Sequence, residues 1–192
     1  MIVQALIFLV DTILGLYAAA LLIRFYLQVA RAPARNQISQ FVGALTDPVV
    51  RPARRLVPGW GGLDLATLVL AWLTEFILLT VVRLIESLIL PELPVPLLGF
   101  AVLAAVNIVR LSIYILMGAL ILQAVLSWVA PYSPVAPIVN GITRPFVRPI
   151  QKRMPLIGNV DLSPLVLIIV LQLVLMVPVN WLTAAVRAAF GA

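Results

Sequence analysis

The chain has 192 residues, 64% of them apolar and 10% charged, with a mean hydropathy of +1.17 and a net charge of +6. A soluble domain is about 45–50% apolar and about 25% charged, so this composition excludes an ordinary water-surrounded globule and requires bilayer as the main solvent. Cysteine and histidine are both absent. That excludes disulfides, thiolate or imidazole metal sites, His-ligated haem and the common His-dependent triads.

A membrane-crossing helix needs about 20 mainly apolar residues, and four segments qualify: 2–29, 65–90, 97–129 and 162–186. The first has no basic n-region and its apolar run is too long for a signal-peptide core, so it reads as a retained helix. It carries Asp11, Tyr17 and Arg24, with Arg24 near enough to one end to snorkel. The loop that follows holds Arg31, Arg35, Arg51, Arg54 and Arg55. The second span carries Glu75, Arg83 and Glu86. A short middle loop, PELPVP, has no Lys or Arg. The third span carries Asn107, Arg110 and Gln123 and is too long for one straight perpendicular crossing, so it must tilt, protrude or start later. A second basic loop holds Arg144, Arg148, Lys152 and Arg153. The fourth span carries Gln172 and Asn180. By the positive-inside rule both basic loops are cytoplasmic, and the termini and middle loop face outward.

The two basic loops carry the same motif. Residues 46–65 read TDPVVRPARRLVPGWGGLDL and residues 143–162 read TRPFVRPIQKRMPLIGNVDL, both fitting T-x-P-x-V-R-P-x5-P-x2-G-x2-D-L. Each shared residue lies 97 positions from its mate: Thr46 and Thr143, Pro52 and Pro149, Asp64 and Asp161. Tyr17 with Tyr114 and Glu75 with Gln172 keep the same offset, so the chain is a tandem duplication, 1–96 and 97–192. Two spans per copy make the repeats parallel in orientation. The expected fold class is an all-α membrane protein: four transmembrane helices as two parallel two-helix repeats, with short amphipathic cytoplasmic helices in the hairpin loops.

Asp64 and Asp161 precede apolar runs and read as helix N-caps. Because Pro164 offers no N–H, Asp161 is left with Ser163 as its donor. Gly61, Gly62 and Gly158 supply the turn before the cap. The loop prolines cut the motif into short pieces, and Pro52 and Pro149 either start a helix or kink it. Between them, apolar residues separate at helical spacing from Arg51, Arg54 and Arg55 in one copy and from Arg148, Lys152 and Arg153 in the other. Such segments lie in the headgroup layer, apolar side down. Their cations meet anionic lipid or a protein partner, and no aromatic interleaving points to nucleic acid.

Charges inside spans are costly and mark functional candidates. The set is Asp11, Arg24, Glu75, Arg83, Glu86, Asn107, Arg110 and Gln172. As repeat equivalents near mid-span, Glu75 and Gln172 are expected to share a hydrogen bond near the pseudo-axis. Three readings follow: an acid–base cluster locking the helices, a polar path for an ion or proton, or side chains snorkelling at the helix ends. The copies do not share these charges (Asp11 matches Ile108, Arg24 matches Ile121), which disfavours a symmetric pore.

The motif resembles the YggT family of small bacterial membrane proteins with plastid relatives. The resemblance rests on Thr46, Asp47, Pro48, Pro52, Arg54, Arg55, Pro58, Gly61, Gly62 and Asp64, with Tyr17 and Arg24 upstream. The second copy departs at Arg144, Gln151 and Asn159. A two-copy chain looks like the form of Gram-negative bacteria. The resemblance implies an inner-membrane location and links to osmotic-stress tolerance, ion homeostasis, division, or nucleoid and plastid organisation. For one plastid member it implies haem attachment, for which this chain lacks the His and Cys. It implies no catalytic residues. The expected function is a non-enzymatic scaffold or assembly factor without cofactor, acting through its basic loops and open to oligomerisation. The alternative is an ion channel or ion-coupled transporter using the buried polar residues.

Overall fold

In a computed structural model the described residues are 1–31, 36–59, 61–88, 95–130, 132–153 and 161–191. Arg35, the middle-loop residues 89–94 and the motif residues Met154, Pro155, Gly158 and Asn159 lie outside them. Every described element is helical: α1 Ile2–Val29, α2 Gln37–Leu56, α3 Leu65–Ser87, α4 Leu97–Val129, α5 Ala136–Gln151, α6 Ser163–Val174 and α7 Asn180–Phe190. A π-helical turn, Leu175–Val179, joins α6 to α7. Pro178 inside it lacks the N–H that the α-ladder needs, and the chain accommodates this by a wider turn. Four helices are long and apolar enough to cross a membrane: α1, α3, α4 and the continuous α6–α7 stretch Ser163–Phe190. The last span therefore runs four residues past the sequence boundary at 186, because Asn180 and Arg187 do not stop a helix whose other residues favour it.

The order span, loop helix, span occurs twice. α4 is helical from Leu97 onward, so it does not start late. At 1.5 Å per residue its 33 residues reach about 50 Å, beyond the roughly 30 Å hydrocarbon layer, leaving tilt or protrusion. α1 lies along α3, and α4 lies against α3, α5, α6 and α7, making it the element that joins the copies. Trp72 donates from Nε1 to the Ala101 carbonyl at 2.9 Å and stacks on Phe76, fixing α3 against α4. One core cluster gathers Leu21, Leu22, Val50, Ala71 and Ile108, and a second gathers Leu116, Leu120, Val147 and Leu167. Val50 and Val147 are repeat mates. Each brings a loop helix into the core of its own copy.

The prolines do not cut the loops. α2 and α5 run unbroken through Pro48 and Pro52, and through Pro145 and Pro149. A proline in a helix leaves the carbonyl four residues earlier without its partner. Here both prolines of each pair stand on the exposed side of their helix, away from its buried residues. Asn36 starts α2 by accepting from the Ser39 amide at 2.7 Å, a cap placed well before the prolines.

Candidate functional site

Each loop helix turns a short stripe of side chains inward. In α2 the stripe is Val42, Thr46 and Val50; in α5 it is Val139, Thr143 and Val147, the same positions shifted by 97, and all six are buried. Each threonine hydroxyl lies between its own helix and the first span of its copy. Thr46 Oγ1 donates to the Val42 carbonyl at 2.6 Å and accepts from Arg24 Nη1 at 2.6 Å. Thr143 Oγ1 lies 3.0 Å from the Val139 carbonyl and 2.7 Å from Gln123 Oε1. So a polar side chain of the first span of each copy grips the loop helix at the equivalent hydroxyl: Arg24 in one, Gln123 in the other.

A second tether joins each loop helix to the span after it. In the first copy Arg54 donates to Asp64 Oδ2 from Nε at 3.0 Å and from Nη2 at 2.5 Å. Asp64 is 4% exposed and also accepts from the Thr67 hydroxyl and amide, which caps α3. In the second copy Gln151 Nε2 donates to Asp161 Oδ2 at 2.6 Å. Gln151 is the repeat mate of Arg54, so the link is kept while its charge is dropped. Asp161 is not the N-cap of its helix. Leu162 holds that position, and Asp161, one residue earlier, accepts from the Ser163 amide at 2.9 Å. The shift follows from Pro164, which removes the donor a cap side chain would otherwise use.

Charge is distributed unequally between the copies. Asp47 accepts from Arg24 at 2.7 Å and from Arg51 at 2.5 Å, and with Arg54 on Asp64 three cations of the first copy have acidic partners. The hydrogen bond from Arg24 chiefly holds the Asp47 carboxyl below its ordinary value. For Asp64, burial pushes upward and is outweighed by Arg54 and Thr67. For Asp161, burial is outweighed by Ser163 and Gln151. In the second copy Arg144 stands where Asp47 does in the first. Arg144, Arg148, Lys152 and Arg153 are all exposed and make no ion pair among the described residues. Arg144 joins Gln123, Asn140 and Gln151 around a surface cavity of about 250 Å³.

The expected intramembrane cluster divides. Arg24 leaves it for Thr46 and Asp47, because the inward stripe of α2 comes within reach of its guanidinium. Gln172 leaves it too. It is exposed on α6, and Glu75 takes Asn107 as partner instead, with Asn107 Nδ2 donating to Glu75 Oε2 at 3.1 Å. The reason is helix order: α3 packs on α4, so Glu75 faces Asn107 rather than α6. From Asn107 the chain of contacts continues to Arg110 at 3.5 Å, and Arg110 Nη2 donates to Thr183 Oγ1 at 2.9 Å. Arg83 and Glu86 approach at 3.4 Å on the same helix. Asp11 is exposed on α1 and makes no hydrogen bond or ion pair among the described residues.

Sequence reasoning missed the gripping roles of Thr46, Thr143, Gln123 and Gln151, and missed Thr183 altogether. Only Thr46 and Thr143 carried a signal, being each other's mates in the repeat.

This architecture is that of a multi-pass α-helical membrane protein. The CCB3/YggT family model matches it twice, at residues 3–85 and 102–182, and the chain belongs to that family. It is 37% identical to the uncharacterized protein PA0392 of Pseudomonas aeruginosa, over 94% of this chain and 91% of the relative. It is 36% identical to an uncharacterized protein encoded in the proC 3' region of Vibrio alginolyticus, over 86% and 88%. Against the uncharacterized protein YggT of Escherichia coli the identity is 31%, over 89% and 87%. No solved structure matches the chain.

Proposed function

We propose that the protein is a non-enzymatic scaffold or assembly factor of the bacterial inner membrane, with both loop helices cytoplasmic and both termini periplasmic. Its working surface is the pair α2 and α5. The observation that carries this reading is α5: Arg144, Arg148 and Lys152 recur every fourth residue along one exposed face, with Arg153 beside them and no acid paired to them among the described residues. Unpaired cations on a helix clamped at two points form a fixed electropositive surface suited to anionic headgroups and to an acidic segment of a membrane or cytoplasmic protein. Arg51 and Arg55 extend it in the first copy. A role in osmotic or ion homeostasis, or in envelope and division organisation, would follow from what this surface recruits.

Ion conduction is the less supported reading. The polar residues fall into a set at the loop-helix end (Arg24, Thr46, Asp47) and a set farther along the bundle (Glu75, Asn107, Arg110, Thr183). Buried Leu21, Leu22, Val50, Ala71 and Ile108 form an apolar cluster rather than a polar path.

The test uses the natural absence of cysteine. Single cysteines at Pro149 and Phe146 carry a photo-crosslinker in cells, with and without Arg51, Arg55, Arg148 and Lys152 changed to Gln. Loss of defined crosslinks at unchanged protein level and topology supports the scaffold reading. Crosslinks indifferent to the four substitutions contradict it.

A further inference from the structure

The end of the bundle away from the loop helices holds a cavity that neither the tethers nor the basic face uses. It measures about 470 Å³ and is lined by Arg110, Tyr114, Asn180, Thr183, Ala184 and Arg187. Its polar side chains come from only two elements, α4 and α7, and none is acidic. Arg110 has five N–H donors and spends two contacts on its surroundings, at Asn107 and Thr183. Arg110 lines the cavity. Arg187, in the last turn of α7, stands one turn beyond Thr183 and is exposed. Tyr114, 53% exposed, and Asn180 complete the wall.

Three physical facts make this a site rather than a gap. Polar side chains open to hydrocarbon are costly, and guanidinium, phenol and amide groups gathered on one wall lower that cost by taking a shared polar partner. Glu75 is buried and is not part of the cavity wall; it bonds the same Asn107 amide that Arg110 contacts. The wall itself carries two guanidiniums and no carboxylate, so the cavity is lined by positive charge. Finally, Asn180 follows directly on the π-helical turn Leu175–Val179, whose extra residue re-aims the helix beyond it. Such turns concentrate at functional sites.

We infer that this cavity binds a phosphate-type oxyanion, held between Arg110 and Arg187 with Tyr114 and Asn180 as further donors. Paired guanidiniums match the oxygens of a phosphate group, and charge-assisted bonds of this kind are the strong ones. The same chemistry is offered by the phosphate of an anionic phospholipid in the leaflet at this end and by free inorganic phosphate. The site stands independently of the scaffold proposal, because none of its residues belongs to α2 or α5.

The experiment uses full-length protein in which Arg148, Lys152 and Arg153 are changed to Gln, so that the loop helices do not mask the result. Native mass spectrometry in detergent measures retention of phosphatidylglycerol against phosphatidylcholine. Thermal unfolding is followed in sodium phosphate against sodium chloride at equal ionic strength. Arg187→Gln, at an exposed helix end where folding is not at stake, is compared with Arg110→Gln. A lipid source predicts preferential retention of phosphatidylglycerol that falls about tenfold in Arg187→Gln, as expected for loss of one charge-assisted bond. A free-phosphate source predicts a phosphate-specific rise in unfolding temperature that the same substitution removes. Retention and phosphate response both unaffected by Arg187→Gln overturn the inference, whether or not Arg110→Gln folds.

Discussion

Arg24 shows how one side chain makes a loop part of a membrane domain. It is a cation inside an apolar helix, 15% exposed, and bonds a buried hydroxyl and a carboxylate on α2 at once. Both bonds leave one guanidinium nitrogen, Nη1, at a reach that the shorter lysine side chain does not match. Arg24→Met is expected to destabilise the protein by about 1–3 kcal/mol, because Thr46 and Asp47 lose their shared partner. Arg24→Lys should recover less than half of that, read by thermal unfolding in one detergent. Tyr17 predicts the opposite sign. Its hydroxyl is buried with no hydrogen-bond partner among the described residues. Leaving such a group unsatisfied costs about 1–3 kcal/mol, so Tyr17→Phe should hold or raise the unfolding temperature, and a clear drop would show that the hydroxyl has a partner. The sequence made Arg24 visible as an in-span charge but not Asp47 as its mate. A charge pair 23 positions apart across a turn leaves no periodic trace, and Asp47 has no acidic counterpart in the second copy.

At the scale of the element, the two tethers to the following span are the same design at different charge. Asp64 is buried, and its carboxyl is depressed because Arg54 and Thr67 outweigh burial. A depressed carboxyl contributes stability that is present above the unfolded value, about 3.9, and lost as pH falls through the folded one. Stability should therefore decline below about pH 4, and the decline should be shallower in Asp64→Asn, which has no such carboxyl to protonate. Equal acid sensitivity in both proteins would remove Asp64 from the explanation. In the second copy the donor is the neutral Gln151, and it and Asp161 are both exposed. Restoring the charge with Gln151→Arg should add only about 0–1 kcal/mol, as exposed ion pairs do. The loop helices also show where sequence rules stopped working. Four internal prolines argue for breaks, yet α2 and α5 continue through them. Each helix is held by packing and tethers on its other face, so tertiary contact overrode local propensity.

For the whole molecule, composition made the four apolar spans legible, and the recurring motif made the family legible. Apolar length and motif recurrence are properties of the chain itself. Side-chain partners were not legible. Glu75 and Gln172 are mates by offset but point to different neighbours, because α4 sits between the copies and offers Asn107 to α3 first. Separation of the polar sets by apolar packing predicts that purified protein in liposomes carries no selective potassium, sodium or proton flux, and that Glu75→Gln changes nothing. A selective flux altered by that substitution would favour the transport alternative. The central claim is that α2 and α5 are fixed surfaces, clamped to the spans by Thr46, Thr143 and the two aspartate tethers, rather than loose lipid-seeking segments. Amide hydrogen exchange over 37–56 and 136–151 in lipid nanodiscs tests it most directly, comparing the unaltered protein with a Thr46→Ala, Thr143→Ala, Asp64→Asn, Asp161→Asn variant. Slow exchange is expected in both helices, faster by tenfold or more in the variant for each roughly 1.4 kcal/mol of anchoring removed. Rapid exchange in the unaltered protein, or identical rates in the two, would contradict it.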